Sequence, residues 1–438
     1  MNNYDILIIG GGTSGCACAY IAGKLGLKVL LVEKEIHLGG AITSGLVIPT
    51  MKTCQNTINN DFYNSLILEL KKLGGQIDYQ GNSGWFNPEL TKIALDNLLK
   101  NVGVEILFNT EVKSVKILDN KILHAEIDST ILSAYNYQIH TNKTRHDKNS
   151  LSECIEAKYF VDATGNANFC QKINCKFLED NDEFQPISLR FIMSGVDIKG
   201  FSKFLQKIDQ NRSVTSIENI DGNIHLSTAY TWDTDKQWAL SVFFDDAVSK
   251  KILKDTDRNY FQIFSVAGTT DSIAFNCPRI VDKLNPGCIR EVSNAIIEAR
   301  AAIYRIAQFC KIYFPGFENA YISNIADAVG IRVSKRVTGK YVYTTEDIRS
   351  GKKFNKPVLI SNYPIDVHCS DKNSSILEDN GEYQLPIESL MSADYENVFM
   401  IGRCLSAEYK AQGALRVQRS CFSMGEGVAK YIYTLLNS

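Results

Sequence analysis

The chain has 438 residues, 45% hydrophobic and 22% charged, with a formal net charge of −2. That length exceeds one simple core, so two closely joined domains are expected. The near-neutral balance gives no reason to expect nucleic acid or an anionic membrane as a partner. No apolar run approaches the roughly 20 residues of a bilayer-crossing helix. The chain enters a strand at once, at Asp5-Ile6-Leu7-Ile8-Ile9, with no basic stretch and long apolar region before it, so a cytoplasmic protein without a signal peptide is expected. Twelve cysteines are scattered from Cys16 to Cys421 without a CxxC pair, which suits reduced, mostly buried thiols and disfavours a dithiol–disulfide reductase.

Residues 4–33 read as one βαβ unit. An apolar strand over residues 6–9 runs into Gly10-Gly11-Gly12-Thr13-Ser14-Gly15, and a helix with small Ala17, Ala19 and Ala22 follows. A second apolar strand, Val29-Leu30-Leu31-Val32, ends on Glu33 and Lys34. Gly10 permits a tight turn, Gly12 lets backbone approach a pyrophosphate, and Gly15 lets helix and strand touch. The N–H groups opening the helix, at Thr13 and Ser14, favour a diphosphate. Glu33, 18 residues after Gly15, is placed to accept from a ribose diol.

Shortly after Glu33 comes a second glycine cluster, Gly39-Gly40-Ala41. An acid ending the second strand and followed by a Gly-Gly pair resembles the flavoproteins with two dinucleotide-binding domains, of the glutathione reductase and fumarate reductase type. The resemblance implies FAD, with this pair against the diphosphate and the flavin.

Next, residues 87–101 read as a helix with Leu90, Ile93, Leu95, Leu98 and Leu99 on one apolar face. Residues 104–108, 112–118 and 122–127 read as short strands, and the polar stretch 129–153 as a surface excursion. Residues 158–161 form a strand that ends on Asp162 and Ala163-Thr164-Gly165, where the same flavoproteins return to the cofactor. Strand-like runs cover 188–193 and 238–244, and a long helix is expected over 289–309.

The later landmarks are more specific. Gly330-Ile331-Arg332-Val333-Ser334-Lys335-Arg336 leads through Gly339-Lys340-Tyr341 and Asp347 to Tyr363-Pro364-Ile365-Asp366-Val367-His368. Near the end, residues 397–401 form a strand running into Gly402-Arg403, then Gln412-Gly413-Ala414-Leu415-Arg416 and a helix-like run to residue 436. Together these are similar to an FAD-dependent oxidoreductase subgroup across residues 4 to about 430. Val333 and Lys335 depart from its pattern, where an acid and an arginine are commoner. The resemblance implies that a final helix points its start at the flavin ring, near Gly40, Arg403 and Gly413, where its dipole stabilises negative charge.

The fold expected is therefore α/β: a Rossmann-like FAD-binding domain built from the discontinuous segments 1–85, 100–175 and 390–438. An α+β substrate domain (86–99 and 176–389) is inserted. Flavin performs the electron chemistry and the protein supplies position and proton handling. His368, two residues after Asp366, is the first candidate for proton transfer. On a strand those two side chains share a face. Arg332 and Arg336, four apart, would on a helix form a cationic face suited to a substrate carboxylate; interdomain salt bridges are the alternative reading. His37, just before Gly39, raises the thought of covalent flavin attachment, though a loop histidine explains it as well. No second GxGxxG follows a mid-chain strand, so a dedicated nicotinamide domain is not expected. The function expected is an FAD-dependent dehydrogenase or reductase acting on a small organic substrate. A flavin monooxygenase using NAD(P)H and oxygen is one alternative. A non-catalytic binding protein of the same fold, as in prenyl-GTPase dissociation inhibitors, is another.

Overall fold

A computed structural model describes residues 2–53, 58–131, 152–179, 184–231, 238–280, 284–368, 376–378 and 381–438. Most of the polar stretch at 129–153 lies outside them. The opening is β1 (Asn2–Ile9), α1 (Thr13–Lys24) and β2 (Val29–Val32), with β1 and β2 parallel. They belong to a seven-stranded sheet. Beyond β2 stands Glu105–Leu107; beyond β1 stand Ser152–Asp162, then Lys121–Ser129, then Thr110–Leu118. Val398–Met400 also pairs in parallel with Ser152–Asp162, so a strand from the end of the sequence completes the sheet begun by the first residues. Alternate side chains of β1 enter two apolar clusters: Ile6 and Ile8 join one, Leu7 and Ile9 the other. A strand covered on both faces must read as such a continuous apolar run.

The C-terminal helix Gln418–Asn437 lies against α1. Gly425 permits this contact, because a Cβ there would overlap Ser14 O and come within 3.0 Å of Cys18 N. Pro88–Asn101 also packs near α1, burying Ala94, Leu95, Leu98 and Leu99, and Asn87 caps it by accepting from Glu89 N and Leu90 N.

A second sheet has six strands in the order Ser216–Ile220, Asn223–Thr231, Tyr260–Ser265, Ile273–Phe275, Phe191–Ser194, Tyr321–Ile325. Every pairing is antiparallel. The long helix Ile289–Tyr313 buries Ala295, Ala299, Ile303, Ile306 and Phe309 as one stripe. Ring contacts join Phe309 to Phe261 on this sheet and to Phe244 beside it.

Two expected strands differ. Residues 238–244 form a turn leading into the helix Ser241–Ser249, because Leu240, Phe244 and Ala247 recur at helical spacing and bury together. The run 188–193 is divided into Ile187–Ser188 and Phe191–Ser194. At the break, Arg190 turns its Nε to Asn276 Oδ1 (2.7 Å). No helix among the described residues is long and apolar enough to cross a membrane.

Candidate active site

The turn between β1 and α1 is shaped by its glycines. Gly10 has φ +104°, and a Cβ there would lie 2.8 Å from the carbonyl of Ala163. A Cβ on Gly15 would overlap Gly10 O. The second glycine pair closes on the first: Gly39 N donates to Gly11 O (2.8 Å), Gly12 and Gly39 form a parallel bridge, and a Cβ on Gly40 would stand 3.1 Å from Gly12 Cα. Thr13 Oγ1 reaches Gly39 O at 3.4 Å. Gly12 caps α1 without a side-chain hydrogen bond, and no acidic residue occupies its first turn. Its opening N–H groups therefore meet no competing side-chain carboxylate from that turn.

Glu33 is nearly buried, accepting from Gly11 N (2.6 Å) and Glu35 N (3.0 Å). These bonds aim the carboxylate at the turn and leave further lone pairs for a ligand. Lys34, by contrast, pairs with Glu35 on the surface. Ala163 N is held by Ile9 O, while Thr164 gives both its N–H and its hydroxyl to the fully buried Asp162. Asp162 also accepts from Cys170 N (2.8 Å) and so organises the whole Ala-Thr-Gly turn. Arg403 packs over Gly165 and donates to Asn166 Oδ1 (3.0 Å). Gly402 has φ +82° and faces Ser14.

Arg403 Nε, Gln412 Oε1, Arg416 Nε, Gln418 Oε1 and Ser420 Oγ are all buried without a hydrogen-bond partner. Native interiors rarely leave so many polar atoms unmet within one short stretch. They lie on the segment that the sequence places around the flavin, and the glycine cradle leaves room for a diphosphate. The residues fit FAD. Removing the charge on Glu33 should weaken FAD about 10- to 100-fold, the size of a lost charge-assisted bond. Glu33→Gln measured by flavin fluorescence against FAD concentration checks this.

Beside the flavin segment, side chains distant in sequence converge. Ile365–Val367 is a strand, so Asp366 and His368 share a side, with Asp366 Oδ1 3.3 Å from His368 Nε2. The helix Tyr409–Leu415 packs on that strand; Gly413 permits it, since a Cβ would come 3.1 Å from Asp366 O. Arg416 ends this helix and donates to Asp366 O (2.9 Å) and Oδ2 (3.4 Å). Arg279 Nη1 stands 3.4 Å from His368 Nδ1 and its guanidinium lies 3.3 Å above the Tyr260 ring. Arg332 donates to Pro186 O, and Arg190 completes the group. Burial and the neighbouring guanidiniums lower Arg190 to about 10 and push Arg332 well down. Burial opposes ionisation of Asp366, yet His368 and the arginines hold its carboxyl well below the usual range.

Burial, with Arg279 and Arg332, pushes His368 down to about 3 against the pull of Asp366. The neutral ring accepts at Nδ1 from Arg279 and donates from Nε2 to Asp366. Because the unfolded histidine titrates near 6.5, it takes the proton first, and stability falls as pH falls from about 6.5 toward 3. Asp366 contributes in a lower window, below about 3.8. Thermal midpoints of His368→Gln should show a flatter slope between pH 6.5 and 4; an unchanged slope would count against this account.

Other expected residues are placed differently. Residues 331–336 are not helical, so Arg332 and Arg336 share no helix face. Backbone bridges draw the segment out instead: Gly330 pairs with Ser188, and Val337 with Phe177. Arg336 donates Nη1 to Ala407 O (2.8 Å). Gly413, Ala414 and Leu415 belong to the short helix, and the final helix starts only at Gln418. His37 Nε2 is 2.6 Å from Ser44 Oγ. Ala41 holds the loop by accepting from Val47 N (3.0 Å).

The disfavouring of a dithiol centre passes over one C-x4-C spacing, Cys170 and Cys175. Both are buried free thiols in the apolar cluster with Phe160 and Val337, and contact with Cys175 plus burial pushes the Cys170 thiol well up. Such a thiol is inert. Arg190, Arg279, Gln185 and Gln412 escape a reading of sequence, although a lone arginine between Leu189 and Phe191 in an apolar run was a visible signal.

The chain is 30% identical over 164 residues to a mitochondrial dihydrolipoyl dehydrogenase of Schizosaccharomyces pombe, covering 37% of this chain and 28% of that one. It is 26% identical over 161 residues to a thiamine thiazole synthase of Saccharolobus solfataricus, covering 37% and 54%. The match thus spans between about a quarter and a half of these relatives. Among solved structures, a geranylgeranyl bacteriochlorophyll reductase-like protein from Thermoplasma acidophilum aligns over 100% of this chain and 79% of its own, at TM-score 0.49 and 13% identity. The family model described as FAD dependent oxidoreductase matches residues 5–436, and the chain belongs to that family.

Proposed function

We propose that the protein moves a hydride between FAD and a small organic molecule, as a dehydrogenase or reductase. The carrying observation is the cluster of buried Arg332 with half-buried Arg279, Asp366, His368 and Arg416, packed against the helix that holds Gly413. On this reading Gly10, Gly12, Thr13, Ser14, Gly15, Glu33, Gly39, Gly40 and Ala41 hold the nucleotide, together with the Ala163–Gly165 turn. Gly402, Arg403 and residues 413–415 border the ring, and residues 176–389 supply the substrate side. FAD, when bound, accepts or returns the hydride.

Asp366 fixes Arg416 and orients the imidazole. Burial, with Arg279 and Arg332, keeps His368 neutral, its Nδ1 turned to Arg279. Arg336 positions the chain at Ala407.

The test is an anaerobic visible spectrum of the holoprotein, before and after NADH or NADPH, followed by a dye-coupled screen of small organic donors. Bleaching by a donor, or by nicotinamide with transfer to an organic acceptor, supports the proposal. Nicotinamide oxidation tied to incorporation of oxygen into product overturns it in favour of a monooxygenase.

A further inference from the structure

We infer that the substrate of this site is a small organic acid, held through its carboxylate by Arg190, Arg279 and Arg332. This rests on the proposed reaction site but adds the chemistry of what enters it. Four guanidiniums gather here, Arg190 and Arg332 buried and Arg279 and Arg416 half-buried, and among the described residues the carboxylate facing them is Asp366. Asp366 lies within 3.4 Å of Arg416 and 3.3 Å of His368.

The other arginines are met by neutral groups: Asn276 Oδ1 for Arg190, Pro186 O for Arg332 and the His368 imidazole for Arg279. Arginine cannot shed its proton to escape burial, and unbalanced buried charge is strongly unfavourable. An anion bound beside these arginines removes that imbalance.

Two further features aim the group at a ligand. Arg279 Nε and Gln185 Nε2 are buried donors with no partner among the described residues. Arg279 is clamped between the Tyr260 ring and His368, which fixes its planar donor edge. A planar edge matches the two oxygens of a carboxylate. The diphosphate of the cofactor has its own place at the glycine turn, so these arginines are available to the substrate.

Titration of the holoprotein with succinate and benzoate, and with succinamide and benzamide, tests this through the flavin absorption bands. The carboxylates should give a saturable band change and raise the thermal midpoint, with the amides at least tenfold weaker. Arg279→Gln and Arg332→Gln should each weaken carboxylate binding at least tenfold with flavin content retained, and Arg279→Lys should recover part of the loss. Amides binding as well as acids, inorganic phosphate binding more tightly than any carboxylate, or variants that lose flavin instead, would each overturn the inference. Should the glutamine variants not fold, the comparison of acids with amides on the unaltered protein decides alone. Saturable carboxylate binding without redox turnover of any acid keeps this inference and sinks hydride transfer. Turnover of neutral substrates with no carboxylate effect does the reverse.

Discussion

Gly15→Val is expected to leave purification with less than about one flavin for every ten chains and a markedly lower thermal midpoint. The added Cβ would overlap Gly10 O and approach Ala163 Cβ to 3.1 Å. Neither neighbour can retreat. Gly10 N is bonded to Val32 O (2.8 Å), and β1 is in register with Ser152–Asp162 along its length. Overpacking of this kind costs about 3 kcal/mol. Here the displaced atoms also form the diphosphate cradle, so stability and cofactor affinity fall together. Absorbance at the flavin band relative to 280 nm, with a melting curve, measures both. A variant holding stoichiometric flavin at the parental midpoint would refute the assignment of this turn.

Asp366→Asn should be the most damaging change on the substrate side. The substitution keeps shape and removes the negative charge that faces Arg416, Arg279 and Arg332. Removing one partner from a buried charge set typically costs about 3–5 kcal/mol, enough to lower the midpoint of a chain this size by several degrees. A specific sign separates this from ordinary damage to the core. Added small carboxylates should restore more of the lost midpoint in the variant than they add to the parent. A midpoint that falls without rescue by anions would place Asp366 in structure alone.

The first third of the fold was legible because its chemistry is local. Glycine spacing, an apolar strand on each side and an acid at a fixed distance together specify the βαβ turn. The structure adds the reason the two glycine clusters stand where they do: each is needed so that Gly12 and Gly39 can touch. The arginine group was not legible. Arg332 and Arg416 stood in motifs noted above and Arg190 interrupts an apolar run, but these residues and Arg279 come from four separate parts of the chain, and no local pattern announces that they meet. The spacing of Arg332 and Arg336 suggested a helix, but the bridges at Gly330 and Val337 override that local pattern. His368 was found, yet its proton affinity depends on those unseen arginines. Its expected titration near neutrality gives way to a ring held neutral.

The contact between α1 and the C-terminal helix has a consequence for biosynthesis. Ser14 and Cys18 meet Gly425, and Glu426, fully buried, receives Phe62 N at 3.0 Å. At 5–20 residues per second, a ribosome takes roughly 20–80 s to supply these partners after the first helix emerges. Until then α1 lacks its carboxyl-terminal cover, although β1, β2 and the helices of the first hundred residues can already pack on it. On the proposed reading of the turn, FAD is held only after the last helix docks, and the nascent amino-terminal unit is where a chaperone has most to protect.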